Sequence, residues 1–145
     1  MRLARAKATT AARPGAFVLA ADTVIGVGRR ILPKATTAEE ARACLALLSG
    51  RRHHVWSAVV VVAPDGRRGE RLTDSVVAFA RLTPHQLETY LATGEWSGKA
   101  GGYAIQGRAA AHIRWLAGSY SAVVGLPLFE TAQLLAGRGY RVIAP

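Results

Sequence analysis

Acidic residues are scarce in this chain. Nine Asp and Glu stand against nineteen Lys and Arg, which gives a formal net charge of +10 over 145 residues. Cysteine is scarcer still, with Cys44 alone. A single thiol excludes a disulfide within the chain and suits a reducing cytoplasm. No apolar run approaches the ~20 residues that a membrane-spanning helix needs. One of the longest, Ala58 to Ala63, fits a buried strand. No membrane partner is therefore expected. Walker loops, nucleophile elbows and dinucleotide fingerprints are also missing. "GVGRR" begins like a glycine fingerprint but leads into a proline loop rather than a helix. The four histidines show no metal-ligand spacing. His53 and His54 are neighbours and point to opposite faces of a strand, so they cannot ligate one metal as a pair.

The excess of positive charge is the first positive feature. It suits an anionic partner such as a nucleotide or nucleic acid. The basic residues are spread along the chain, however, with no basic stripe interleaved with aromatics. A solvated, arginine-rich surface explains most of them, and nucleic acid is not the expected partner. "MRLARAKATTAARPGAF" has no acidic residue. It fits either an organelle transit peptide or the tail of an element that begins before it.

Half of the residues are apolar, enough for one sizeable core. "FVLAADTVIGV" (17–27) is rich in β-branched residues and reads as a buried strand. "GRR" reads as a turn and "ILPKATT" as a loop. Thr37 and Glu40 form a capping-box pair that opens a helix, and Ala41, Cys44, Leu45 and Leu48 supply its apolar face. Cys44 is therefore a core residue. "HHVWSAVVVV" is a strand buried on both faces. "PDG" turns it back into "RLTDSVVAFARL", giving a long hairpin. Thr83, Pro84 and Gln86 repeat the helix-start signature. "AAAHIRWLAG" reads as a strand, "SYSAVVGLP" as a loop, "PLFETAQLLAGRG" as a helix and "YRVIA" as a last strand. The order β–α–β–β–α–loop–β–α–β predicts one α/β domain with a mixed sheet and flanking helices over residues 1–145.

Two places carry chemistry. Asp22 interrupts the first strand. A buried carboxylate is costly unless paired, so it serves either as a metal ligand or general base, or as a strand-end group bonding a backbone N–H. Lys34 follows twelve residues later, close enough to return beside it if the chain doubles back at Gly28. "GKAGGYAIQG" (98–107) is the strongest local signal. Glycine N–H groups approach an anion closely, Lys99 adds charge, and Gln106 offers both a donor and an acceptor. The same composition also suits a flexible surface loop.

"AADTV", "ILPKA", "LSGRRHHVWSAV", "YLATGEWSGKAGGYAIQG" and "GSYSAVVGLP" occur in this order. Together they resemble the Maf-type nucleoside triphosphate pyrophosphatases, over about residues 17–140. The resemblance implies a long curved mixed sheet around a nucleotide cleft. It implies cleavage of a nucleoside triphosphate between the α and β phosphates, with a divalent cation, Mg²⁺ or Mn²⁺, and a cytoplasmic homodimer. It makes Asp22 the proton acceptor and metal-side carboxylate, and Lys34 and Lys99 catalytic phosphate-side cations. It makes Thr23 and Gln106 specificity residues of the subgroup acting on dTTP and UTP. The family's opening strand and its Ser-x-Ser-Pro-Arg-Arg phosphate loop are not in this sequence. Residues 1–16 are then expected to be the remnant of that region, in an N-terminally truncated chain. This leaves two further expectations open: an inactive relative that binds nucleotide or a protein, and a basic nucleic-acid-binding protein. Ala35 stands where proline is usual, Ser57-Ala58 where Thr-Gly is usual, and Ala122 where asparagine is usual.

Overall fold

The computed structural model describes residues 1–141. Helix α1 (Arg2–Thr10) leads into strand β1 (Val18–Val27) and a short β2 (Arg30–Leu32). Helix α2 (Ala38–Leu48), the hairpin β3 (Arg52–Val62) and β4 (Arg68–Phe79), and α3 (Pro84–Ala92) follow. A 3₁₀ turn (Arg108–His112), β5 (Ile113–Ala117), α4 (Tyr120–Val124) and α5 (Leu128–Ala136) complete the chain. The five strands form one sheet in the order β2-β1-β3-β4-β5. This is the expected α/β architecture with flanking helices. The mixed sheet needs correction, because every strand pairing among the described residues is antiparallel. Helix α3 returns the chain to an antiparallel neighbour, β5 beside β4, while α2 carries it from β2 over β1 to β3, which runs parallel to β2 but does not pair with it. Of the last expected strand, "YRVIA", residues 142–144 lie outside the described residues.

Capping chemistry sets the two main helices. Thr83 and Gln86 form a complete capping box ahead of α3. At α2 only half the box forms. The Thr37 side chain accepts the Glu40 N–H at 3.2 Å, but Glu40 reaches back to the Thr36 N–H instead, at 3.0 Å. Between β3 and β4, Asp65 Oδ1 accepts the Arg67 N–H at 2.9 Å, which fixes the turn.

Three short elements differ from expectation. "ILPKATT" is not all loop, since Arg30–Leu32 pairs with Ile25–Val27. "AAAHIRWLAG" is strand only from Ile113, after a 3₁₀ turn. "SYSAVVGLP" holds α4, whose N-cap Ser119 accepts the Ala122 N–H at 3.2 Å. Such short pieces lack the length for a periodic signal, and tertiary contacts decide them.

The sheet is covered on both faces. Helices α2 and α3 bury Leu45, Leu48 and Leu91 against Ile25, Val55, Val77 and Phe79. Cys44 is in this core, and burial raises its thiol pKa. Further along the same face, Leu134 of α5 packs on Val59 and Val61. The other face receives α1. Its Ala4 and Ala8 are four apart, so they share one side, and their small size lets the helix lie close on Val18, Ala20, Ala58 and Val60. Arg5 pairs with Glu70 of β4 on the same face, two strands over from β1. Residues 2–10 are thus an integral layer of the fold.

The segment after α3 is packed rather than loose. Gly101 and Gly102 are buried with φ of +68° and +76°. A Cβ at Gly101 would lie 3.1 Å from Ile25 Cδ1, and one at Gly102 would lie 3.2 Å from the Ala41 backbone. Glycine is required here both for backbone sign and for close approach to β1 and α2. Gly66 in the hairpin turn has φ +87° and open space around it. Gly102→Ala is therefore expected to cost ~3 kcal/mol and Gly66→Ala ~1 kcal/mol, the excess measuring the contact with α2. Urea unfolding of the two variants checks the difference.

Candidate functional site

Strand β1 is flanked by β3 along Val18–Gly26, but β2 covers only Ile25–Val27 on its other side. Among the described residues, the outer edge of Ala21–Val24 therefore has no partner strand. Side chains alternate along a strand, so Asp22 and Thr23 leave that edge toward opposite faces. A cleft of about 220 Å³ wraps round the edge and is lined by both of them.

Asp22 lies on the face under α1. Its side chain is only 9% exposed, and Lys7 Nζ reaches Oδ1 at 2.7 Å and the Ala21 carbonyl at 3.2 Å. The partner that makes a carboxylate tolerable at this depth is thus a lysine, not a backbone N–H. Sequence reasoning missed Lys7. No local signal marked it, since only the fold shows that Ala4 and Ala8 face the sheet and that Lys7 flanks them.

Lys34 and Lys99 come together through backbone pairing. Lys34 bridges Ala100 in an antiparallel sense. The Ala35 N–H donates to the Lys99 carbonyl at 3.1 Å, Gly98 N–H to the Ala35 carbonyl at 2.8 Å, and Gly101 N–H to the Pro33 carbonyl at 3.0 Å. This zipper joins the "ILPKA" and "GKAGGYAIQG" segments into one wall, with both lysines exposed on it. Lys34 also lines the cleft that holds Asp22, which it reaches as a member of the Lys99 wall. The usual proline at 35 has no N–H to donate, whereas Ala35, fully buried, uses its own in the zipper. Gln106 is exposed at the end of the same wall.

Thr23 faces α4. Its Oγ1 lies 2.9 Å from Ser57 Oγ, and Ser57 Oγ donates to the Ala122 carbonyl at 2.6 Å. Ser57 is fully buried, and its own carbonyl accepts from Thr73 Oγ1 at 3.1 Å. Position 122 thus serves through its backbone, which an alanine supplies as well as an asparagine. All five sequence-identified residues, Asp22, Thr23, Lys34, Lys99 and Gln106, line one cleft, with Lys7 as the sixth polar member.

Tyr103 anchors the glycine segment beneath the cleft. Its hydroxyl lies 2.6 Å from His53 Nε2, and both rings pack edge-on or tilted against Phe79. Burial pushes the Tyr103 pKa up and, with His54 adding a smaller effect, lowers that of His53 to about 4. His53 Nδ1 has no partner among the described residues, so a second proton there is unsupported. His54, on the opposite face, stacks on Trp56 and pairs with Asp74 at 2.7 Å. No cluster of three metal-ligating side chains exists among the described residues.

The sign of the His53 effect follows from its lowered folded pKa. Above the unfolded value of 6.5 the ring is neutral in both states and stability is unaffected. As pH falls from 6.5 toward about 4, the unfolded chain takes up a proton that the folded chain refuses, and stability declines. Urea unfolding between pH 6.5 and 5 should show a loss of ~2 kcal/mol that His53→Gln abolishes.

These residues can be set beside known proteins. The Maf-like protein family matches residues 1–138. The dTTP/UTP pyrophosphatase of Granulibacter bethesdensis is 65% identical over 150 aligned residues, covering 97% of this chain and 70% of that protein. Those of Rhodospirillum rubrum and Paramagnetospirillum magneticum are 62% and 60% identical. They match 97% and 96% of this chain across 68% and 74% of their own lengths. With one family spanning nearly the whole described fold and relatives this similar along it, the chain belongs to the Maf-like protein family.

Proposed function

We propose that this chain is a nucleoside triphosphate pyrophosphatase acting on dTTP and UTP, the substrates in the names of its relatives. The supporting observation is the cleft itself. It gathers one deeply set carboxylate and three lysines, with the Gln106 amide at the end of the same wall. Neither an inactive nucleotide-binding relative nor a nucleic-acid-binding protein is favoured by that arrangement.

In the reaction, water adds to the α-phosphorus and the bond from it to the α–β bridging oxygen breaks. Nucleoside monophosphate and pyrophosphate leave. Phosphoanhydride cleavage requires charge neutralisation and a placed nucleophile. Lys34 and Lys99 act as point charges on the phosphate oxygens, and their ammonium groups are held on one wall by the backbone zipper. Asp22 accepts the proton of the attacking water, with Lys7 holding its carboxylate in place. Thr23 and Gln106 contact the base.

A divalent cation, Mg²⁺ or Mn²⁺, is part of this proposal. Asp22 is the only carboxylate lining the cleft among the described residues. Asp22 would hold the ion from the protein side, and a single carboxylate would do so only together with the bound triphosphate. Such an ion supplies further charge neutralisation on the phosphates.

A homodimer in the cytoplasm completes the proposal. The buried, unpaired Cys44 suits a reducing compartment. No helix among the described residues is long and apolar enough to cross a membrane.

Asp22→Asn is expected to lower pyrophosphate release from dTTP and UTP, with Mg²⁺ or Mn²⁺, by about 100-fold or more. Unchanged turnover would remove Asp22 from the mechanism. Lys34→Ala and Lys99→Ala should each lower kcat/KM about tenfold through lost phosphate contacts. Steady-state kinetics on the purified variants checks both.

A further inference from the structure

A hydroxyl group has one proton to give, and in the pair Thr23–Ser57 its direction is decided. Ser57 Oγ lies 2.6 Å from the Ala122 carbonyl, an atom that can only accept. Ser57 must therefore spend its proton there. It is fully buried, so no solvent offers it another arrangement. Thr23 Oγ1, 2.9 Å from Ser57 Oγ, must then be the donor in that contact. Thr23 lines the cleft with its own proton already committed. What it presents to a ligand is lone pairs alone.

We propose that Ser57 is a positioning residue for base selection, holding the Thr23 hydroxyl as an obligate acceptor that favours a pyrimidine bearing N3–H over one bearing an N3 lone pair. The inference rests on the cleft being the nucleotide site proposed above. Uracil and thymine carry a proton on N3, while cytosine carries a lone pair there. A fixed acceptor meets the first with a hydrogen bond and the second with repulsion. Gln106 gives no such selection by itself, because its amide can turn to present either a donor or an acceptor. The orientation is robust because it is set by backbone. The Ala122 carbonyl belongs to α4, whose start is capped by Ser119, and the Ser57 carbonyl is bound by Thr73 across the β3–β4 hairpin. Selectivity against a ligand that leaves polar groups mismatched is larger than selectivity by shape alone.

The test compares kcat/KM for UTP and CTP. The wild type should prefer UTP. Ser57→Ala frees the Thr23 proton to point into the cleft, so the UTP:CTP ratio should fall about tenfold, through KM rather than kcat. Thr23→Val should collapse the ratio, and adding Ser57→Ala to it should change the ratio no further, since both act through one hydroxyl. Circular dichroism establishes that each variant folds. If Ser57→Ala does not fold, Ser57→Cys, which keeps the side-chain shape at a slightly larger size and donates weakly, reads the same ratio. Parallel losses for both nucleotides with an unchanged ratio would make Ser57 merely structural and overturn the inference. So would a Ser57→Ala effect that persists undiminished in the Thr23→Val background. Absence of turnover of any pyrimidine triphosphate by the wild type would instead overturn the proposed function, and this inference with it.

Discussion

The site depends on three backbone hydrogen bonds between Pro33–Ala35 and Gly98–Gly101. They join two segments more than sixty residues apart into a single wall. Neither segment belongs to a long strand or helix, so neither would hold its shape alone. The bonds are kept in register by packing from behind, where Gly101 and Gly102 lie against β1 and α2 and Tyr103 is pinned to His53. Without those glycines the segment would stand off from the core. The zipper would open and Lys34 and Lys99 would separate.

The opposite side of the cleft follows a different constraint, the two-residue period of a strand. Asp22 and Thr23 are neighbours in sequence but leave β1 toward opposite faces. Each then meets a separate helix. Lys7 from α1 pairs with Asp22, and α4 offers the Ala122 carbonyl to the Ser57–Thr23 chain. A short stretch of β1 edge without a partner strand among the described residues lets one cleft collect both. Charge handling and hydroxyl orientation are thus delivered to a single space by layers on either side of the sheet.

Much of the fold was legible because its signals were local. Thr83–Gln86 closes a full capping box, and Thr37 caps α2 with its own hydroxyl. The run of valines in β3 and the Pro-Asp-Gly turn give the hairpin without reference to anything distant. The short β2 and α4 were not legible, nor was the helix α1. Arg30–Leu32 becomes a strand only because Ile25–Val27 is there to pair with it, and α4 forms where Ser119 finds the Ala122 N–H. Within the site, Asp22 stood out as a charge in an apolar strand, and Lys99 and Gln106 as polar residues among glycines. Lys7 did not, because an alanine-rich basic helix looks the same whether it floats in solvent or lies on a sheet.

Sequence by itself determined the residue types available for chemistry and the elements that carry them. It supplied one carboxylate in a β-branched strand, lysines behind a proline and within a glycine run, and helices opened by threonine caps. Those follow from nearest-neighbour physics, where side chain and backbone interact within a turn or two. Tertiary structure alone decided which charge faces which. It brought Lys7 to Asp22 across fifteen residues and Lys34 to the Lys99 segment across sixty-five. It also turned the Thr23 proton away from the cleft, through a carbonyl ninety-nine residues further along the chain. Hydrogen-bond direction depends on which groups remain unsatisfied in a buried place, and only the folded chain defines that place.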